Sequence, residues 1–238
     1  RAMLTLLLAT RNAHKTDEIR ALLGDEIRYL TLRDFPGAPE VVEDALTFAG
    51  NATKKAVALA RWLSQSRIAA PEVPEEPMLV LADDSGLEVD ALNGAPGVHS
   101  ARFAALDANP AGNATDAENN AKLLRLLREV PSARRTARFR CVMALTPVTE
   151  APIESASPVC YADEFELQTR LFEGVCEGRI GPAPRGRNGF GYDPLFIPDG
   201  YTQTFAELSG AVKNTLSHRA RALAALKASG AVARPFSV

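Results

Sequence analysis

The pattern of apolar and polar positions predicts strands and helices that alternate along the chain. Short apolar runs at residues 4–9 and 29–32 predict two strands, because runs of this length between polar residues are typical of buried strands. Residues 17–23 between them predict a helix that ends at Gly24, a residue common just beyond a helix end. This alternation indicates an α/β protein.

The stretch from Met78 to Asp90, MLVLADDSGLEVD, is the most informative in the chain. Its uninterrupted apolar run predicts a strand buried on both faces, with Asp83 and Asp84 at its end. Two carboxylates at the edge of a core are costly unless a cation or hydrogen-bond donors lie beside them. The alternative is a turn in which the acids cap backbone amides and Ser85 begins the bend, and the local sequence leaves both open.

Further elements follow from spacing and end signals. Small and apolar residues recur at three and four over residues 45–64, which predicts a long helix with Asp44 as its N-cap. Residues 115–130 begin with a capping box and predict a second helix. Alternating residues over 138–146 and an apparent strand over 172–180 predict an antiparallel pair, with 147–171 as an extended hairpin excursion between them.

The segment from Lys213 to Arg219, KNTLSHR, has two interpretations. In one continuous helix, Lys213 and His218 would lie about 140° apart and could hardly share a ligand. If Ser217 is instead an N-cap, His218 and Arg219 occupy the first helical positions and Lys213 lies in the loop before them. We favour the second interpretation, because all three side chains can then face one pocket at the positive end of the helix dipole.

Composition restricts the classes of function. The 238 residues suffice for one large α/β domain, which we expect to span 1–238. The formal net charge of −2 disfavours a nucleic-acid polymer as partner, since such binding needs a basic surface. No apolar run approaches membrane-spanning length. The three cysteines include no CxxC pair, which favours reduced thiols and a cytoplasmic location.

Several segments carry side chains suited to a nucleotide triphosphate. A strand, a polar turn at Thr10–Lys15 and a helix start can form an anion site, although an ordinary capped β–α loop would read the same way. Mg²⁺ prefers one or two carboxylates together with phosphate oxygens and water. The sequence supplies candidate acids, further cations and one aromatic that could stack on a base: Glu43, Asp83, Asp84, Lys55, Lys213, Arg219 and Phe190.

At these residues the chain resembles the Ham1/inosine triphosphate pyrophosphatase family from end to end. The matching stretches are LATRNAHK at 8–15, VEDALTF at 42–48, NATKKA at 51–56, LADDSGLEVDALNGAPGVHSAR at 81–102, NGFGYDPLF at 188–196, AELS at 206–209 and KNTLSHR at 213–219. It departs from the family pattern at Arg11, where glycine is common, and at Gly50, where an acid is usual. Ala211 and Val212 also replace acids.

The resemblance implies a long twisted mixed sheet flanked by helices, with two lobes, a central nucleotide cleft and a homodimeric assembly. It implies Mg²⁺-dependent hydrolysis of noncanonical purine nucleotides (ITP, dITP and XTP) to the monophosphate and pyrophosphate, which keeps them out of DNA and RNA. Two other functions stay open: a nucleotide sensor without catalysis, and a pyrophosphatase for another modified nucleotide class.

The family's site residues transfer onto matching positions. Asp84 matches the base that activates water and, with Glu43, the Mg²⁺ ligands; Asp83 is its rival, because adjacent strand residues point opposite ways. The triphosphate-facing set and its loop are Thr10, Arg11, Asn12, Ala13, His14, Lys15, Lys55 and Ser85. Phe190 matches the base-stacking aromatic, and the remaining nucleotide pocket comprises Gly191, Tyr192, Asp193, Lys213, His218 and Arg219.

Overall fold

The computed structural model describes residues 3–69, 78–107, 112–149 and 164–232. Within these ranges the strands are β1 (Thr5–Leu8), β2 (Arg28–Thr31), β3 (Met78–Val89), β4 (Thr136–Pro147), β5 (Arg170–Ile180) and β6 (Phe196–Pro198). The α-helices are α1 (Ala13–Leu23), α2 (Phe48–Ala69), α3 (Asp116–Leu126), α4 (Glu164–Leu167), α5 (Gly210–Leu216) and α6 (His218–Ala228). Among the helices of the described residues, none combines the length and the hydropathy that a membrane span requires.

The strands form one mixed sheet with the hydrogen-bonded order β2-β1-β3-β4-β5-β6. Strand β1 is parallel to both β2 and β3, whereas β5 and β6 are antiparallel. Parallel neighbours need a crossover between them, which α1 provides between β1 and β2. The predicted mixed sheet flanked by helices is confirmed.

The chain divides into two compact units, and the boundary runs through β3 between Asp84 and Ser85. Unit 1 takes the described residues of Arg1–Asp84, Val142–Phe172 and Leu223–Val238, and unit 2 takes those of Ser85–Cys141 and Glu173–Ala222. One domain over 1–238 stays a prediction. Most of the predicted excursion at 147–171 lies outside the described residues.

Each unit has its own core. In unit 1 the small-residue face of α2, with Ala52, Ala56 and Ala60, packs in one buried cluster with Leu7 of β1 and Val80 of β3. Alanines on this face leave no long side chain between the helix and the strands, so their backbones can approach closely.

The core of unit 2 is aromatic. The ring centroid of Phe139 on β4 lies 4.7 Å from that of Phe196 on β6, and Phe196 lies 5.1 Å from Phe205. These rings pack in one buried cluster with Leu87 of β3 and Leu123 of α3. The same cluster includes Tyr192, so this aromatic core lies beside the segment that carries Phe190.

The structure corrects the expectation for the central stretch. Strand β3 runs without interruption for 12 residues, so Asp83 and Asp84 lie within it and not at its end. The alternative turn at Ser85 is wrong. Beyond the acids the strand is held by burial of Leu87 and by the amide of that residue, which donates to Ser100 Oγ at 2.9 Å.

Two predicted helix starts were misplaced. Helix α1 begins at Ala13, four residues earlier than expected, because Asn12 caps it. Helix α2 begins at Phe48 and extends to Ala69, so Asp44 is not its N-cap. Asp44 instead pairs with Lys54.

The predicted capping box at the start of α3 is confirmed, with Thr115 and Glu118 bonded reciprocally. So is the N-cap at Ser217, whose Oγ accepts from the amide of Ala220 at 3.2 Å. The expected loop position of Lys213 is wrong, since this residue lies in the short helix α5. The break at Ser217 separates α5 from α6, so one helical wheel does not govern both Lys213 and His218.

Candidate functional site

The two acids of β3 are buried and have different partners. Asp83 is 3% exposed and accepts from Lys15 Nζ at 3.0 Å, while Asp84 is 7% exposed and accepts from Asn51 Nδ2 at 2.9 Å. Successive strand residues point to opposite faces, which accounts for this division. Asp83 is thus engaged by a cation, and Asp84 by a neutral amide.

The loop between β1 and α1 is shaped by its own side chains. Thr10 Oγ1 accepts from the amide of Asn12 at 3.1 Å. Asn12 Oδ1 then accepts from the amides of His14 at 3.0 Å and Lys15 at 3.3 Å. The amides of His14 and Lys15 are therefore already bonded by Asn12, and the segment places the Lys15 ammonium beside Asp83.

The other members of that loop lie at the surface. Arg11, Ala13 and His14 are exposed. Ala13 and His14 occupy the first turn of α1, and Arg11 precedes the Asn12 cap. Their predicted contact with substrate stays a prediction.

Lys55 on α2 connects the loop before that helix with β3. Its Nζ donates to the backbone oxygen of Asp83 at 2.7 Å and lies 3.2 Å from Glu43 Oε1. Glu43 is the more exposed partner of this ion pair. Lys55 therefore holds the Glu43 carboxylate on the side of α2 that faces the acids of β3.

Asn51 makes a second connection, which the sequence interpretation missed. Its side chain is 1% exposed; Nδ2 donates to Asp84, and Oδ1 accepts from the amide of Ala45 at 2.9 Å. This buried amide therefore bridges the loop that carries Glu43 and the carboxylate of Asp84. The available signal was a polar Asn adjoining the small-residue face of α2.

The departure at Gly50 lies beside this bridge. A Cβ at Gly50 would lie 2.8 Å from Ala45 Cβ and 3.1 Å from Thr47 Oγ1. Any side chain there would push on the loop that Asn51 holds. Glycine thus permits the observed close approach of this loop to the start of α2.

Burial raises the pKa of Asp84 above its ordinary value, although Lys55 and the hydrogen bond from Asn51 oppose the shift. Glu43 adds a smaller rise, because it brings a second negative charge near. A nearby cation would stabilise the ionised form of Asp84 and relieve this repulsion.

Two carboxylates match the ligand set that Mg²⁺ usually takes from a protein, with phosphate and water oxygens completing it. In the described part of the chain, no cluster of three or more His, Cys, Asp or Glu side chains could hold a metal ion. The carboxylate oxygens of Glu43 and Asp84 are the ligand type that fits Mg²⁺ shared with a phosphate.

In unit 2 the carboxylate of Asp193 organises the candidate residues. Its Oδ2 accepts from Lys213 Nζ at 2.7 Å and from the amide of Phe190 at 3.0 Å. A Cβ at Gly189 would lie 2.0 Å from the same oxygen, and Gly189 has a positive φ of 77°. Glycine is therefore required at this turn, which sets Phe190 over Lys213.

Cations surround the half-buried ring of Phe190. Lys213 Nζ lies 5.1 Å and Arg219 Cζ 5.9 Å from its centroid, within the range of cation–π attraction. Arg219 is only 1% exposed and donates to Ser85 Oγ at 3.0 Å. Ser85, the residue after Asp84 on β3, is therefore bonded to the buried arginine beside Phe190, and its predicted contact with the triphosphate stays a prediction.

Two further predicted residues face the core of unit 2. The His218 ring stacks on Phe139 with centroids 4.8 Å apart. Tyr192 is buried, and its hydroxyl donates to the backbone oxygen of Ser100 at 2.9 Å. Burial raises the pKa of Tyr192 well above its ordinary value. The Tyr192 side chain thus supports the Phe190 turn from within the core.

Hydrogen bonds, ion pairs and cation–π contacts join one group of residues in each unit. The group of unit 1, called the acid–lysine group below, comprises Lys15, Glu43, Asn51, Lys55, Asp83 and Asp84. The group of unit 2, called the Phe190 group, comprises Ser85, Phe190, Asp193, Lys213 and Arg219.

Comparison with known proteins identifies close relatives that cover most of the chain. A curated relative, the dITP/XTP pyrophosphatase of Shouchella clausii, is 44% identical over 222 residues, covering 93% of this chain and 94% of that protein. The dITP/XTP pyrophosphatase of Desulforamulus reducens is 45% identical over 219 residues, covering 92% and 91%.

Solved structures give the same relationship. A HAM1 protein from Coxiella burnetii superposes with a TM-score of 0.73 at 37% identity, covering 95% of this chain and 98% of that one. The Ham1 protein of Staphylococcus aureus gives a TM-score of 0.72 at 30% identity, covering 97% and 100%. The model of the Ham1 family matches residues 6–229, and the chain therefore belongs to the Ham1 family.

Proposed function

We propose that this protein is a Mg²⁺-dependent nucleoside triphosphate pyrophosphatase that hydrolyses ITP, dITP and XTP to the monophosphate and pyrophosphate. The observation that carries the proposal is the acid–lysine group, in which Asp83 and Asp84 are buried and Lys15, Asn51 and Lys55 bond to these two residues. Relatives named dITP/XTP pyrophosphatase support the choice of substrate. Removal of such nucleotides would limit their incorporation into DNA and RNA.

In this proposal Glu43 and Asp84 would hold Mg²⁺, which would supply positive charge to the phosphate oxygens. Lys15 and Lys55 bind the charged triphosphate as point charges. Both lysines already lie against acidic oxygens of β3 or of Glu43, so they are ordered before the substrate arrives. Ordering in advance lowers the entropy cost of binding a flexible triphosphate.

Asp84 acts as the general base. A water attacks the α-phosphorus, its proton passes to Asp84, and the bond from the α-phosphorus to the bridging oxygen breaks to release pyrophosphate. Asn51 holds one carboxylate oxygen of Asp84 at 2.9 Å and so fixes the orientation of the carboxylate. Catalysis of this kind is mostly positioning and electrostatic stabilisation.

The Phe190 group recognises the purine. Phe190 stacks on the base, and the cations around it supply donors for the 6-oxo oxygen of hypoxanthine and xanthine. Adenine presents the opposite polarity at the 6-position and at N1. A site built for one hydrogen-bonding pattern can reject the other by roughly 10⁴–10⁵-fold.

We also propose that the protein acts in the cytoplasm as a homodimer. The support for both is the resemblance to the family, and sedimentation velocity tests the dimer directly. A single species at the mass of one 25.5 kDa chain would refute it.

A substrate panel tests the proposed activity. The protein is incubated with ITP, XTP, dITP, ATP, GTP and single-stranded DNA, with and without Mg²⁺, and the phosphate product is identified. We expect pyrophosphate from the first three, far slower turnover of ATP, and no cleavage of DNA. Orthophosphate release or equal turnover of ATP would refute the proposal, and nucleotide binding without turnover would indicate a sensor.

A further inference from the structure

One face of α3 holds the turn that carries Phe190. Asp116 Oδ2 accepts from the amide of Gly191 at 2.7 Å, and Asn120 Nδ2 donates to the backbone oxygen of Gly191 at 2.9 Å. Residues four apart lie on the same face of a helix, so both side chains reach one residue. Together they bond both backbone polar groups of Gly191.

The conformation of Gly191 sets the course of the backbone at Phe190. The amide of Gly191 belongs to the peptide bond that follows Phe190, so Asp116 fixes the rotation of that peptide. On the other side of Phe190, its own amide is held by Asp193. Gly191 has a positive φ of 62°, a conformation that glycine adopts at no steric cost. The contacts from α3 select this conformation from the many open to glycine.

Asn120 is a costly choice if its role is only structural. It is 8% exposed, and no donor in the described residues reaches its buried Oδ1. A buried amide that is only partly satisfied is less favourable than an apolar side chain of similar shape. Asparagine is also a poor residue for a helix interior. The contact with Gly191 is the feature that an apolar residue could not supply.

The preceding residue offers a matched contrast. Asn119 Oδ1 accepts from the amide of Ala104 at 2.8 Å, and its Nδ2 donates to the backbone oxygen of Ala101 at 3.3 Å. It holds a different turn from the same helix. Asn119 is also buried, so its loss should cost stability without acting on the Phe190 turn.

We propose that Asp116 and Asn120 are positioning residues that hold Gly191 from both sides and so set the Phe190 ring for stacking on the purine. The inference rests on the proposed function, because it assigns the Phe190 ring to the base. The two residues touch neither phosphate nor metal in this scheme. Their loss should therefore weaken recognition of the base and leave the phosphate chemistry in place.

The experiment compares Asp116→Ala, Asn120→Ala and Asn120→Leu with wild type. Calorimetry gives the Kd of IMP, steady-state kinetics give KM and kcat for ITP, and inhibition by inorganic pyrophosphate reports the phosphate-binding groups alone. We expect the Kd of IMP and the KM of ITP to rise roughly tenfold, as partial loss of a base–aromatic stack predicts. We expect kcat to change less than roughly threefold, because the groups that act in the transition state are intact. The inhibition constant of pyrophosphate should also change less than roughly threefold, because the phosphate-binding groups are not altered.

Two further variants separate positioning from stability. Asp116→Asn keeps an acceptor oxygen for the Gly191 amide and should restore IMP affinity. Asn119→Ala should lower the unfolding midpoint while leaving the Kd of IMP unchanged. Asn120→Leu keeps the branched shape of the side chain and fills the buried site, which provides a second variant if Asn120→Ala is unstable.

The outcomes decide separately between the two proposals. If wild type binds IMP but does not hydrolyse ITP, the proposed function fails and the IMP affinities of the variants still judge the inference. If the Asp116 and Asn120 variants bind IMP like wild type, the positioning role is overturned. It is also overturned if these variants lose as much affinity for pyrophosphate as for IMP. Absence of IMP binding to wild type would overturn the inference, whereas ITP turnover alone judges the proposed function.

Discussion

Each unit contains a lysine–aspartate ion pair, and the surroundings of the two pairs differ. In unit 1, Lys15 lies 3.0 Å from Asp83, and Asp84 beside it is bonded by the neutral Asn51. In unit 2, Lys213 lies 2.7 Å from Asp193, whose carboxylate also binds the amide of Phe190. The first pair adjoins an acid suited to a metal, whereas the second holds an aromatic ring.

This contrast shows that the partners of a residue, and not its type, decide its role. Asp193 bonds a lysine and a backbone amide, so its charge is used within the protein. Burial and the nearby Glu43 raise the pKa of Asp84, whereas Lys55 and the hydrogen bond from Asn51 oppose the rise. Perturbed acids of this kind occur preferentially at functional sites.

Replacement of Asp84 should have the largest effect. Asp84→Asn keeps the shape of the side chain but removes the proposed base, and general-base loss costs roughly 10²–10⁴-fold. We expect ITP turnover to fall by about 10³-fold while the Kd of IMP, which reports the Phe190 group, stays within about twofold.

The matched control is Asp83→Asn, which breaks the pair with Lys15 and should weaken binding of the triphosphate more than it lowers kcat. Turnover of Asp84→Asn close to wild type would remove Asp84 from the mechanism. A greater loss of kcat in Asp83→Asn would transfer the role of base to Asp83.

Removal of the aromatic ring tests the other unit. A base stacked on an aromatic side chain gains about 1–3 kcal/mol, so Phe190→Ala should raise the KM of ITP by roughly 10- to 100-fold. Inhibition by inorganic pyrophosphate should not change, and Phe190→Tyr, which keeps the ring, should behave like wild type. Equal KM values in Phe190→Ala and wild type would show that the ring does not stack on the base.

A packing change should disturb unit 2 without removing any polar group. A Cβ at Gly174 of β5 would lie 2.0 Å from the backbone oxygen of His218 and 2.4 Å from the amide of Ala222. Gly174→Ala must therefore push α6 away from β5, and overpacking of this kind costs about 1–3 kcal/mol. Urea denaturation measures the loss.

Gly210→Ala is the control, because a Cβ there meets no atom within 4 Å. Equal free energies of unfolding for Gly174→Ala and Gly210→Ala would contradict the close packing of α6 on β5. A rise in the Kd of IMP for Gly174→Ala alone would show that the start of α6 supports the base pocket.

The smallest expected effect is on the pH dependence of stability, which tests the environment of Asp84. The pKa of Asp84 is raised in the folded protein, so the folded state binds its proton more tightly than the unfolded chain. The resulting stabilisation is present below the ordinary value of 3.8 and is lost as pH rises through the folded pKa. Relative to Asp84→Asn, wild type should lose at most about 1.4 kcal/mol per pH unit in this window.

Chemical denaturation of both proteins in metal-free buffer from pH 3.5 upward measures this difference. The other acids titrate in both proteins, so their contribution cancels when the free energy of unfolding of Asp84→Asn is subtracted from that of wild type. A free-energy difference that stays constant, or that favours wild type as pH rises, would show that burial does not raise the pKa of Asp84.

Local signals in the sequence predicted much of the fold. The capping box at Thr115, the stop at Gly24 and the N-cap at Ser217 were all found, because each depends on residues at most four positions apart. The sequence located the start of strand β3, but it did not predict that the strand continues through Asp83 and Asp84. Its acids and the Ser-Gly pair imitate a strand end, and pairing within the sheet overrides that local preference.

The supporting residues of the site could not be predicted in this way. The Asn51–Asp84 contact joins residues 33 positions apart, and the Asn120–Gly191 contact joins residues 71 positions apart. No local pattern distinguishes such an asparagine from one that faces solvent. The motifs that carry the family resemblance include NATKKA, which begins at Asn51, but they say nothing of what its amide touches.

The sequence by itself determined the alternation of strands and helices, the family, and the acids, lysines and aromatic that carry the candidate chemistry. Tertiary structure alone decided that Asp83 takes Lys15, that Asp84 takes Asn51, and that α3 holds Gly191. The reason is physical: propensity, capping and periodicity act over a few neighbouring residues, whereas the partner of a buried polar group is chosen by the packing of distant segments.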